Sequence, residues 1–159
     1  MKDLILDVSK WNGAIDFAQM KAEGVQAIIV KAGGSGREDR LLRRHAAGTR
    51  SAGLYLGLYY WIDPLCDGAT QARHFLRLVN ELQPDFVAGD NEQWWADWDK
   101  WRLWRMGKLD AQNVPVLPPK QIERVVSDFL AWTAGNITVR LLHYTSMGFL
   151  REHCPQALN

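Results

Sequence analysis

Only two cysteines, Cys66 and Cys154, occur in the 159 residues. They are far apart and form neither a Cys-x-x-Cys pair nor a Cys/His ligand spacing, so neither a disulfide framework nor a zinc site is indicated. Long hydrophobic runs are also missing. Nothing approaches the roughly 20 apolar residues of a membrane-spanning helix, so no membrane insertion is expected. The opening "MKDLILDVSK" lacks a signal-like apolar core followed by small residues. Charge of one sign is not in excess: 19 Lys and Arg face 18 Asp and Glu, for a net charge of +1. No global field therefore favours nucleic acid or an anionic membrane as a partner. The densest basic stretch, "GREDRLLRRH" (36–45), carries two acids and reads as a solvated helix face. Low-complexity segments and linkers are absent too. No cofactor and no metal are expected.

What is present is a core. A chain of this length with 47% hydrophobic residues can build one domain, residues 1–159. Apolar runs of strand length alternate with stretches of helical period, the pattern of parallel strands joined by crossover helices. The strands are expected at 4–9, 26–33, 54–61, 86–92 and 138–146, and the helices at 16–24, 37–53, 68–82 and 119–135. Gly24, Gly53 and Gly135 stand where helix C-caps belong. "NVPVLPPK" (113–120) is a proline-marked turn leading into the last helix.

In parallel α/β architectures ligands bind at the carboxyl ends of the strands, where loops can change without disturbing the packed core. Asp7 ends the first strand, Lys31 the second, Tyr59, Tyr60 and Trp61 the third, Asp90 and Glu92 the fourth, and Tyr144 lies near the end of the fifth. Strand side chains alternate faces, so Asp90 and Glu92 in "GDNE" (89–92) point the same way with Cα atoms about 6.5 Å apart. A close carboxylate pair is what glycoside cleavage requires: crowding and burial raise one pKa so that the group can donate a proton while the other stays charged.

"LDVSKWNGAIDF" (6–17), "AIIVKAGGS" (27–35), Asp39 followed by "LLRRHAAGTRSAGLYLGLYYW", "QARHF" (71–75) and "GDNE" together resemble glycoside hydrolase family 25, the lysozymes that cut peptidoglycan. The resemblance runs in order from residue 4 to about residue 92 and resumes weakly at "LLHYTSMGFL" (141–150). It implies an α/β, TIM-barrel-like (β/α) glycosidase fold, irregular or incomplete, with parallel strands one to five present. It also implies a muramidase that cleaves the β-1,4 bond between N-acetylmuramic acid and N-acetylglucosamine, with peptidoglycan glycan strands as the partner. By position, Glu92 matches the family's general acid, Asp90 its assisting carboxylate and Asp7 its strand-one aspartate. Tyr59 and Trp61 match the family's aromatic strand-three end and Tyr144 its strand-five tyrosine, all walls for a sugar; Lys31, counted with them as substrate-binding, is expected to pair with the acids and keep Asp90 ionised.

Each residue also has a plain structural reading. Asp7 could cap the turn that follows it, Lys31 could be a solvated strand end, and Tyr59 and Tyr144 could be core aromatics with wet hydroxyls. "QWWADWDKWRLWRMGKLD" (93–110) departs from the family pattern and concentrates tryptophans after Glu92. There Trp94, Trp98, Trp101 and Arg105 recur at helical spacing, so a stripe buried against the barrel is expected, with a sugar-stacking platform or a partner patch as alternatives. The family's closing strands and final aspartate have no counterpart before "CPQALN". Three explanations stand open: a truncated gene product, a separately encoded C-terminal half, or a shortened domain that covers its open edge with another copy. A non-catalytic wall-binding module is accordingly the alternative to an enzyme. A cysteine peptidase using Cys66 and His143 lacks any supporting context. Location is left open, and the missing signal fits a phage-type lysin released from the cytoplasm.

Overall fold

The computed structural model describes residues 4–145. Five parallel strands form its centre: β1 (Leu4–Val8), β2 (Val25–Gly34), β4 (Tyr55–Trp61), β5 (Phe86–Asp90) and β6 (Arg140–Tyr144), in the spatial order β1-β2-β4-β5-β6. The short β3 (Arg37–Glu38) pairs antiparallel with the end of β2. Helices α1 (Phe17–Ala22), α2 (Leu42–Ser51), α3 (Gly68–Leu82), α4 (Trp98–Arg105) and α5 (Pro119–Ala134) fill the connections. Among the described residues the sheet does not close on itself, and β1 and β6 are its edges. No helix among them is long and apolar enough to cross a membrane.

The strand runs place alternate residues on two different surfaces. On one face Val8, Ile28, Val30, Leu56, Leu58, Tyr60 and Val87 are buried beneath the helices together with Phe17, Leu42, Phe75, Leu78, Ile122 and Phe129. Tyr60, Phe75 and Phe129 pack ring against ring at 5.4–5.8 Å. Burying one such side chain stabilises the fold by roughly 1.5–3 kcal/mol, so this helix-covered layer carries most of the stability.

Register defines the other face. Asp7 pairs with Ile29, Lys31 with Tyr59, Trp61 with Asp90, and Asp90 with Tyr144. Because paired residues share a face, Ile5, Asp7, Ile29, Lys31, Tyr55, Tyr59, Trp61, Phe86, Asp90 and Tyr144 all belong to it. Its lower part is apolar, and Ile5 and Tyr55 stay 52% and 65% exposed. Its upper rim is polar.

The helix expected over 37–53 begins only at Leu42. "GGSG" makes a tight reversal, with Ser35 and Gly36 at φ 51° and 74°, which returns the chain as β3. A Cβ on Gly33 would strike the Arg37 carbonyl, so the hairpin needs glycine there. Gly24 and Gly53 have positive φ just past the ends of α1 and α2, as C-cap glycines do. Gly135 does not, since its φ is −71°. Pro119 occupies the first turn of α5, where its missing N–H costs nothing.

Candidate active site

The first turn after β1 is capped by Ser9, whose hydroxyl accepts from the Trp11 N–H at 3.4 Å while Asn12 Oδ1 accepts from the Ser9 N–H at 2.8 Å. Asp7 is therefore not the cap of this turn. It is exposed on the rim, where its charge acts on Asp90, Glu92 and Tyr59. Ser9 also hydrogen-bonds Tyr59.

β5 carries Asp90 onto the same rim. Asp90 is 6% exposed, and its buried Oδ1 has no hydrogen-bond partner in the structure. Burial first, then the Glu92 charge, push its pKa up to about 7, against a smaller opposing pull from Lys31. The expectation that Lys31 keeps Asp90 ionised is thus corrected: the lysine acts in that direction, but desolvation outweighs it. Among the described residues Lys31 makes no ion pair within 4.0 Å. Its ammonium sits over the Trp61 ring at 4.9 Å and the Tyr59 ring at 5.7 Å, and burial holds its pKa below the usual lysine range.

Glu92 lies two residues beyond the last residue of β5, not within it. The pairing persists past the strand end through the Asn91 N–H, which donates to the Tyr144 carbonyl at 3.0 Å. Glu92 is half-buried, and burial together with Asp7 raises its pKa, opposed by Lys31. Tyr144, 59% exposed, feels Glu92 most strongly, which raises its phenol pKa. Burial raises that of Tyr59 too, helped by Asp90 and Asp7. Asp7, Lys31, Tyr59, Asp90, Glu92 and Tyr144 thus form one electrostatic group, and Trp61 borders it through Lys31. Neither tyrosine is a core aromatic. Tyr60, between Tyr59 and Trp61, turns the other way and is fully buried.

Three further residues of this rim are not among the expected site residues, although Asp39 is part of the family resemblance. Asp39 is buried; its carboxylate accepts from the Lys10 N–H at 3.2 Å and the Leu41 N–H at 2.9 Å, tying the loop after β1 to the one after β3. It stood in a charged stretch that read as an exposed helix face. Gln93, fully buried, accepts from Trp61 Nε1 at 3.3 Å and donates to the Trp95 carbonyl at 3.2 Å. Asp63 is likewise buried and accepts from Ser35 Oγ at 2.6 Å, bracing the β2 and β4 loops against each other. A buried polar side chain that holds loops has no periodicity by which to find it.

The tryptophan stripe is corrected as well. Helix α4 starts at Trp98, so Trp94 and Trp95 precede it in an extended stretch, with Trp95 bridging Val116. No residue of α4 is buried, and the interior ring is Trp95, 4% exposed, which helical spacing had left out. Cys66 does not resemble a nucleophile: its Sγ lies 3.7 Å from Asp63 Oδ2, and burial raises its thiol pKa. His143 sits on β6 opposite Gly89, on the face away from Tyr144. Cys154 and the stretch from Ser146 onward lie outside the described residues.

The family model of glycosyl hydrolases family 25 matches residues 6–158. The chain belongs to this family. One curated relative is the uncharacterized protein YegX of Escherichia coli (strain K12), 34% identical over 89 residues. That match covers 52% of this chain and 33% of YegX, so the chain spans about a third of its relative there. Among solved structures, the muramidase from Trichobolus zukalii superposes with a TM-score of 0.71 at 18% identity, covering 94% of this chain and 68% of that one. A family 25 glycosyl hydrolase from Bacillus anthracis gives 0.72 at 15%, covering 93% and 62%. The modular autolysin LytC from Streptococcus pneumoniae in complex with a synthetic peptidoglycan ligand gives 0.69 at 18%, covering 95% and 34%. These likenesses carry the fold: a family 25, TIM-barrel-like α/β architecture whose sheet is open among the described residues.

Proposed function

We propose that residues 1–159 act as one catalytic domain, a peptidoglycan hydrolase of lysozyme type that cleaves the β-1,4 bond between N-acetylmuramic acid and N-acetylglucosamine. The observation that carries this reading is the convergence of Asp7, Asp90 and Glu92 on one rim, with two of the three acids pushed toward the protonated form. A coupled pair of this kind retains a proton near neutral pH, which glycosidic cleavage requires of its acid. Accessibility separates the roles. Asp90 is enclosed, whereas Glu92 is open enough to meet a substrate oxygen. Glu92 accordingly donates its proton to the glycosidic oxygen as the C1–O bond breaks, and the departing sugar leaves as the alcohol. Asp90, once ionised, stabilises the positive charge that develops at C1 or orients the substrate's acetamido group toward it; a water molecule then forms the new C1–O bond and gives its proton to the Glu92 carboxylate, which restores the acid. Asp7 keeps Glu92 protonated and adds negative charge beneath the sugar. Lys31 limits that charge, and Tyr59, Trp61 and Tyr144 form the walls against which a pyranose ring rests. Family membership and the peptidoglycan ligand in the LytC complex support this substrate class.

The test is loss of turbidity of purified bacterial walls by the intact chain and by Glu92→Gln. Lysis by the intact chain, reduced by a factor of about 100 or more in the variant, is the expected outcome for a lost general acid. Equal lysis by both overturns the assignment of Glu92. Wall binding without lysis by the intact chain makes it a binding module instead.

A further inference from the structure

Six of the eight tryptophans form one continuous chain of ring contacts that begins at the carboxylate rim and ends in solvent. Trp61, which carries the Lys31 ammonium on its face, is 6.2 Å from Trp95. Trp95 stacks on Trp101 at 4.3 Å with an interplanar angle of 18°, and Trp98 meets both rings edge-on at 5.1 and 5.4 Å. Trp94 links Trp95 to Trp104 at 5.8 and 5.7 Å.

Packing alone does not account for this arrangement. Helix α4 buries none of its residues, and Trp98 remains 40% exposed on it. The exposed rings are nevertheless held in place from below. Trp95 fixes Trp98 and Trp101 through its faces and edges, and Gln93 joins Trp61 to the Trp95 backbone. Orientation fixed before binding, an exposed aromatic surface and direct continuity with a sugar-cleaving rim are the features of an extended carbohydrate site. A pyranose ring has an apolar face of C–H bonds and a polar edge. Here Trp98 offers the matching face, Trp101 is held between Trp95 and the Arg105 guanidinium as its support, and Arg105 and Arg102, the latter paired with Asp99 at 2.8 Å, stand on the same side of the helix as donors for hydroxyl and acetamido oxygens.

We propose that Trp98 of α4, backed by Trp101 and Trp95, forms a remote binding platform for a β-1,4-linked N-acetylhexosamine chain, extending the cleft past Trp61 and gripping glycan beyond the bond that is cut. This rests on the glycosidase reading above. The platform raises affinity for long strands and leaves the binding of short ones to the rim.

Binding is measured by calorimetry in the Glu92→Gln background, using N-acetylglucosamine oligomers of two and six units. The six-unit chain is expected to bind more tightly than the two-unit one. Trp98→Ala should weaken six-unit binding roughly three- to tenfold and leave two-unit binding unchanged. Trp98→Phe should retain most of the affinity, and Leu103→Ala, on the same exposed helix, should change nothing. Thermal unfolding of each variant verifies that the exposed position has not disturbed the fold. If the two-unit sugar binds and the longer one gains nothing, or if Trp98→Ala leaves six-unit binding intact, the platform is overturned while the rim reading survives. If neither oligomer binds, both fail. An effect of Leu103→Ala as large as that of Trp98→Ala, or self-association through α4 lost in Trp98→Ala, also overturns it, because the patch would then be a generic apolar or protein contact.

Discussion

In the catalytic reading proposed above, Asp90 serves chemistry at the expense of stability. Its folded-state pKa of about 7 stands above the ordinary 3.8, so the native state binds this proton more tightly than the unfolded chain does. The group's contribution to stability is therefore fully present below the ordinary carboxylate pKa and is lost as pH rises through about 7. Asp90→Asn removes the charge that burial penalises. We expect it to stabilise the protein by about 2–4 kcal/mol at pH 8 and by much less at pH 4, read as a Tm difference that grows with pH, while wall lysis falls. Asp7 predicts a different signature. Its charge raises the Glu92 pKa, so Asp7→Asn should lower that pKa and move the alkaline limb of the lysis profile toward acid. An unmoved limb would remove Asp7 from this role. The residues on β1, β4 and β5 could be read in the sequence because each ends an apolar run. The balance between Lys31 and burial at Asp90 could not, because it depends on how much water the fold excludes.

At the scale of elements, the strands were legible and the helices less so. Strands here are dense apolar runs bounded by polar residues, and all five expected strands exist with ends moved by a few residues. Helical period misled twice. "REDR" mixes a hairpin strand and the buried Asp39 into what looks like a helix face. The tryptophan segment has rings at helical spacing, yet its first two precede the helix. Contacts between elements were out of reach of periodicity altogether. Gly68 opens α3 at the point where that helix crosses α5, and a Cβ there would run into the Val125 carbonyl oxygen and approach Asp128 Cβ at 3.0 Å. Backbone cannot give way as a flexible side chain can, so Gly68→Ala should cost about 1–3 kcal/mol, measured by urea unfolding. A neutral result would mean that the helices separate easily.

Over the whole molecule, the packed layer and the candidate site occupy opposite sides of one sheet. The helix-covered side holds Leu58 with no exposure, whereas Ile5 and Tyr55 lie open on the other. Leu58→Ala is expected to cost about 2–5 kcal/mol. Ile5→Lys and Tyr55→Lys should each stay within about 0.5 kcal/mol of the parent in urea unfolding. A large loss of stability from either lysine would show that the open face is packed in solution. The sequence foretold a parallel sheet with acids at its carboxyl rim, because strand ends and carboxylates are local signals. Which strand residues meet solvent depends on how far the sheet curls, a property of the assembled chain.

Strand β4 keeps these two duties apart with a beat of two residues: Leu56, Leu58 and Tyr60 serve the packed layer, and Tyr55, Gly57, Tyr59 and Trp61 face the other way. Substitutions at Tyr55, Tyr59 and Trp61 can therefore remake the open surface while Leu56, Leu58 and Tyr60 hold the scaffold, whereas Gly57 is bound to stay small because a Cβ there would sit 2.6 Å from the Phe86 ring.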